Sequence, residues 1–268
     1  MTNEDLLPVF LEYHIGEGIT AFSTMREGGV SEGAYSHFNI THYCGDAPES
    51  VEQNRQLLCQ KLGIHNNCLH LPRQTHSDVV YRIEDNFLKK NSEERQALLE
   101  GVDALITNLR GQCIGISTAD CIPILLYDPI HQAIAAIHAG WRGTVARIVQ
   151  KTIAAMTKAF GSEAENLKAI IGPGISQAAF EVGNEVYEAF QQARFPMAEI
   201  ATQYKTPQSS KWHIDLWAAN FIQLEEVGLP LASIQVSGIC TFTEHDRFFS
   251  ARRLGIESGR IFNGIMLR

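Results

Sequence analysis

The sequence predicts an α/β (α+β) fold: a mixed central sheet flanked by helices. Three observations point there. Eight short segments read as strands, and several are apolar throughout, as in strands covered on both faces. A smaller set carries apolar residues at helical spacing between recognisable caps and stops. The two kinds are interleaved without strict strand–helix–strand alternation, so a purely parallel sheet is not expected. The chain has 268 residues, enough for a sizeable core, and no repeat or low-complexity tract divides it. A single domain over 1–268 is the expectation.

In chain order, GITAFST (18–24) is the first strand. SVEQNRQLLCQKLG (50–63) is a helix, with Ser50 as N-cap and Gly63 as its stop. VVYRI, ALITN, CIGIST, PILLYD and QAIAAIH follow as strands. TVARIVQKTIAAMTKAFG (144–161) has apolar residues at 145, 148, 149, 153 and 156 and ends on Gly161, so one helix is expected. LKAIIGP is a strand and EVGNEVYEAFQQ (181–192) a helix. DLWAANFIQLEEVG (215–228) is a helix capped by Asp215 and closed by Gly228, and SIQVSGI is the last strand. EDNFLKKNSEERQALLEG (84–101) and ATQYKTPQSSKW (201–212) read as surface excursions.

Composition narrows the function classes. A net charge of -8 argues against a general nucleic-acid surface. The N-terminus has no basic segment followed by an apolar one, and no apolar run is long enough to span a bilayer, so no membrane partner is expected. The six cysteines form no C-x-x-C pair, consistent with free thiols in a reducing cytoplasm.

The chemistry-bearing residues cluster around STADCIPILLYDPIHQAIAAIHAGWRGT (117–144). Cys121 stands before one apolar strand and His138 ends the next; His76, in RQTHSD, precedes another. Gaps of 45 and 17 residues are too wide for a zinc finger but suit strand ends and loops that converge in space. One thiolate and two imidazoles can hold zinc with a fourth position open to water or substrate. Spacing alone also allows a small buried thiol and structural histidines. Asp120, beside Cys121, is a candidate for orienting an imidazole or moving a proton, or else caps a turn. Gly140 and Gly143 permit close backbone approach; the helix that follows offers an anion seat, with Arg142 at its mouth. Arg252, Arg253 and Arg260 are interleaved with Phe248 and Phe249, a combination that can hold phosphate beside a flat ring or simply form a Phe pair with solvated arginines. Arg26 flanks the Gly28–Gly29 pair.

These residues carry a resemblance. FSTMREGGVS, FNITHYCGD, VEQNR, RQTHSDVV, VDALITN, GISTADCIPILLYD, AAIHAGWRGT, IGPGISQAAFEVGNEV and CTFTEHDRFFSARR, taken together, resemble the YfiH or laccase-domain family of purine nucleoside phosphorylases. The resemblance spans nearly the whole chain. It implies one YfiH-like α/β domain, cytoplasmic and homodimeric, with zinc on His76, Cys121 and His138. It implies phosphorolysis of adenosine, inosine, guanosine and S-methyl-5′-thioadenosine, together with adenosine deaminase activity. Purine nucleosides and phosphate would be its partners, and Arg26 and Asn39 match family positions near the substrate. The sequence departs from the pattern at Met25, at Tyr43 in place of a His, and at Ala251 in place of a Tyr.

Four functional readings follow. In the leading one, zinc supplies hydroxide to attack C6 of the purine while Asp120 moves protons, and arginines hold phosphate for phosphorolysis. A cysteine hydrolase or amidase would use Cys121 as nucleophile and His138 as base, assisted by His76 or Asp120. A copper-dependent polyphenol oxidase would place copper on the same ligands. Ten histidines without one H-x-H pair argue against a multicopper oxidase. A binding module without catalysis would not need His76 or Cys121.

Overall fold

Two mixed sheets lie face to face in the computed structural model, which describes residues 4–205 and 210–268. One has five strands in the spatial order Phe10–Tyr13, Ile19–Thr24, Ile261–Leu267, Cys113–Thr118 and Leu69–His70. The other has six: Ile234–Val236, Lys168–Ile171, Ile122–Asp128, Ala133–Ala139, Ala104–Thr107 and Val80–Arg82. The expected central sheet is therefore divided in two, while the mixed α/β class holds.

Period-2 alternation sorts the apolar side chains between two layers. From Ile122–Asp128, Leu125 and Tyr127 enter the layer between the sheets, with Ile114, Ile116 and Ile265 from the opposing sheet. Ile122, Ile124 and Leu126 point the other way, onto helices Ile148–Phe160 and Leu216–Glu226. Every residue of Ile122–Asp128 and Ala133–Ala139 is buried, because both faces are covered. Helix Pro48–Leu62 covers the outer face of the five-stranded sheet.

All eight expected strands form, within three residues of their ends. Among the helices, Asp215 caps Leu216–Glu226 by accepting the Ala218 N–H at 2.9 Å. The first helix starts at Pro48 after Ala47, so Ser50 lies inside it; a proline loses nothing at that first position. Gly63, at φ +66°, ends it as expected. The 144–161 helix is corrected to two, Trp141–Val145 and Ile148–Phe160. Arg147 breaks it with a left-handed φ of +62°, held by Glu226 at 2.9 Å, by the Ala193 carbonyl at 3.0 Å and by stacking 3.8 Å over Phe195. Glu181–Val182 is strand, and its helix is Asn184–Gln192.

Both surface excursions carry structure. Asn91 and Glu94 form a reciprocal capping box on helix Ser92–Leu98, preceded by helix Asp85–Leu88. Ala201–Lys205 pairs with Ser210–Ile214, and Glu181–Val182 completes a three-stranded sheet. Residues 206–209 of that excursion, and residues 1–3 of the expected 1–268 unit, lie outside the described residues. No helix among the described residues is long and apolar enough to cross a membrane.

Candidate metal centre

The TADC turn crosses from one sheet to the other: Cys113–Thr118 belongs to the five-stranded sheet and Ile122–Asp128 to the six-stranded one. The sharp change of direction uses a left-handed Asp120, at φ +86°. Cys121 emerges at the end of its strand, where Pro123 pairs with His138 and Ile122 with Ala139. His76 reaches the same point from the loop before Val80–Arg82, also with a left-handed φ, +62°. The ligand atoms of His76, Cys121 and His138 all lie within 4.8 Å of one another. Cys121 Sγ is 3.7 Å from His76 Nε2, and the two imidazole rings meet edge-on with centroids 4.9 Å apart.

One buried carboxylate organises this convergence. Asp103 accepts the backbone N–H groups of Thr75, His76 and Ser77 at 3.0, 3.0 and 2.9 Å, and the Ser77 hydroxyl at 2.8 Å. It also accepts His138 Nδ1–H at 2.6 Å. That bond assigns a proton to Nδ1, so Nε2 is the atom of His138 that can bind a metal once its own proton has left. Burial raises the Asp103 pKa, but the His138 hydrogen bond and charge outweigh it and hold the group below the usual carboxylate range. Asp103 was not among the expected site residues. Its signal, an acid just before the apolar strand ALIT, is one that many turns share.

Burial likewise pushes the Cys121 thiol up, yet the adjoining His138 and His76 bring it down to about 6. Burial depresses His138, but Cys121 and Asp103 raise it to about 9. The pair is a thiolate beside an imidazolium when no metal replaces the proton. Two imidazoles and a thiolate with orienting hydrogen bonds fit a zinc ion with an open position. Gly140 completes the fit: a Cβ there would lie 2.8 Å from His76 Cδ2 and 3.0 Å from Cys121 Sγ.

The other expected site residues divide. Asp120 is spent on structure: one oxygen accepts the Thr241 hydroxyl and the other the Arg252 N–H, both at 2.7 Å. These contacts give Asp120 a positioning part in the turn. Arg26 donates to the Ser36 and His245 carbonyls and lies over Phe249. Arg252 donates to the Glu181 carbonyl at 3.1 and 3.2 Å. Arg260 holds the carbonyls of Ser258, Gly259 and Ile256. Asn39, fully buried, binds Asp46 at 2.8 Å and accepts the N–H of Thr41 and Arg260. These four brace loops instead of converging as an anion clamp. Arg142 alone of the five makes no side-chain hydrogen bond among the described residues; its guanidinium stacks 4.3 Å over Trp141. The helix that holds it, Trp141–Val145, is five residues long, not the start of a long 144–161 helix. Beside His76 runs a polar wall that sequence reading missed. Gln74 bridges both backbone polar groups of Ser117, at 2.7 and 2.8 Å, and accepts Tyr43 OH at 3.3 Å.

Residues 20–268 match the family model described as multi-copper polyphenol oxidoreductase laccase. A purine nucleoside phosphorylase of Bacteroides thetaiotaomicron is 51% identical over 249 residues, covering 93% of this chain and 92% of the relative. Adenosine deaminase RL5, from an unknown prokaryotic organism, is 46% identical and covers 93% and 94%. Among solved structures, the hypothetical protein YfiH of Bacillus licheniformis superposes with a TM-score of 0.88 at 25% identity, covering 97% of both chains. YlmD of Geobacillus stearothermophilus gives a TM-score of 0.86 at 26% identity, covering 98% of this chain and 99% of that one. By this match, and by relatives alike over nearly their full lengths, the chain belongs to the multi-copper polyphenol oxidoreductase laccase family.

Proposed function

We propose that this chain is a zinc-dependent purine nucleoside phosphorylase that also deaminates adenosine, a glycosyl transferase and hydrolase acting as a cytoplasmic homodimer over 1–268. The observation that carries the reading is the convergence of His76, Cys121 and His138 on one point, locked by Asp103. A relative 51% identical bears the phosphorylase name and another, 46% identical, the deaminase name, which supports this pair of activities.

Zinc at these three residues would supply Lewis acidity at its open position. The chain's own groups do the rest. Asp103 fixes the His138 tautomer and ring plane, so that Nε2 faces Cys121. His76 and His138 hold the thiol ionised at neutral pH, so the proton that a metal must displace is the one on His138. Arg142, with its guanidinium unengaged, takes the phosphate, and Trp141 beneath it fixes its direction. Tyr43 and Gln74 offer polar atoms to the nucleoside next to His76. Asp120, Asn39, Arg26, Arg252 and Arg260 shape the surrounding loops.

The test is a nucleoside panel incubated with and without phosphate. Free purine base should appear only with phosphate, inosine should appear from adenosine without it, and both should vanish in Cys121→Ala. No turnover of any nucleoside by zinc-loaded protein would end this reading. The low Cys121 pKa also favours a second one, a cysteine hydrolase with Cys121 as nucleophile and His138 as its partner. Fast alkylation of Cys121 in the purified protein would favour the hydrolase; slow alkylation released by a chelator would favour the metal. Copper on the same three residues is the alternative metal, and metal analysis of the purified chain decides it.

A further inference from the structure

A cavity of about 700 Å³ opens in a crease between two helices, and none of His76, Cys121 or His138 lines it. Pro48, Val51, Glu52 and Arg55 form one wall; Ser92, Arg95, Gln96 and Leu99 form the facing one. Each set follows the i, i+3, i+4, i+7 spacing of a single helix face, so the cavity is built by helices Pro48–Leu62 and Ser92–Leu98. Its volume suits a small organic molecule.

The charge is concentrated. Arg55, Arg73, Lys90 and Arg95 line the cavity with Glu52 as the one acid, in a chain of net charge -8. Arg73 is paired with Glu100, and Arg95 is fixed by the carbonyls of Leu88, Lys90 and Asn67. Arg55 is different. Its side chain is only 21% exposed, yet its guanidinium makes no hydrogen bond among the described residues. Glu52 comes no closer than 4.0 Å to Arg55 Nε, and its other oxygen is engaged by Gln56 at 3.2 Å and Asn66 at 3.1 Å. A largely buried cation with unmatched donors is costly unless a ligand supplies the acceptors, and a planar guanidinium matches phosphate oxygens. Val51, Leu69, Leu71 and Leu99 give the same cavity an apolar wall.

We infer that this cavity is a second binding site, for a small organic phosphate: Arg55 takes the phosphate group, and the leucine wall takes the organic body. The site is independent of the phosphorylase reading, because it shares no residue with the metal centre.

Calorimetric titration of the full chain tests it, with ribose 5-phosphate, adenosine 5′-monophosphate and inorganic phosphate as probes and ribose as the uncharged control. At least one organic phosphate should bind with a dissociation constant below about 1 mM and more tightly than inorganic phosphate. Arg55→Gln should weaken that binding about tenfold or more. Lys90→Gln should weaken it too, and added salt should lower it. Cys121→Ser should leave it unchanged. Failure of both organic phosphates to bind, or a preference for bare phosphate, overturns the proposal. So does undiminished binding by folded Arg55→Gln, or loss of binding in Cys121→Ser, which would put the anion at the metal centre. Should Arg55→Gln not fold, Lys90→Gln and the salt dependence decide in the same sense.

Discussion

Asp103 is where a single atom's identity matters most. An amide at this position keeps the volume but loses the charge that binds His138 Nδ1 and three backbone N–H groups. Asp103→Asn should lower zinc affinity about 10- to 100-fold, measured by competition with a chelator. Affinity equal to the parent's would show that His138 needs no orienting carboxylate. Gly140→Ala tests the tightness of the site from the other side. A methyl at 2.8 Å from His76 and 3.0 Å from Cys121 should abolish metal binding while the circular dichroism spectrum stays unchanged. Buried His70 gives a pH prediction. Burial lowers its pKa to about 4, so the folded chain keeps it neutral while the unfolded chain protonates it below its ordinary value of 6.5. Stability from this residue is therefore complete above 6.5 and is lost as pH falls from 6.5 toward 4, by about 3 kcal/mol. Urea unfolding of His70→Gln should show a decline shallower by that amount; parallel curves would refute the assignment. Of the site, the ligand triad was legible through the resemblance that TADC and HAGWRG carry, since spacing alone left a buried thiol and structural histidines open; the fold brings the three donor atoms within 4.8 Å of one another. Asp103 was not, since its partners come from residues 75–77 and 138, which only folding brings together. A sequence shows a guanidinium's charge but not the carbonyls that Arg26, Arg252 and Arg260 meet in the fold.

At the scale of elements, caps and breaks decided what the periodicity left open. The 144–161 pattern is continuous in sequence, yet tertiary anchoring of Arg147 to Glu226, Ala193 and Phe195 overrides it. The strand Ile261–Leu267 escaped notice because Asn263 and Gly264 interrupt its apolar run. Both are required by packing. Asn263 binds Ser23 and Thr118 in neighbouring strands, and a Cβ at 264 would meet Phe262 at 2.7 Å and Phe22 at 2.8 Å. The exposed Arg194 ends the Asn184–Gln192 region at φ +60°, a conformation that favours glycine. Arg194→Gly should raise the unfolding free energy by about 0.5–1 kcal/mol in chemical denaturation. A loss of stability would mean that the arginine side chain itself anchors this corner.

Across the whole molecule, the two sheets explain why the metal centre sits where it does. The strands were legible as apolar runs, but a run covered on both faces does not reveal which sheet it joins. The TADC turn passes between the sheets, so Cys121 lies at their seam, with His138 beside it and His76 delivered by the loop that Asp103 pins. A ligand set spread over three separate segments makes metal binding depend on the assembled fold. Under the proposed function, this seam is a zinc centre on which purine nucleoside phosphorolysis depends. Base release from inosine with phosphate, followed as zinc is withdrawn by a chelator and then restored, tests it most directly. Turnover should fall in proportion to bound metal, reach zero in the folded, metal-free chain, and return at about one zinc per chain. Full turnover by the metal-free chain would contradict it.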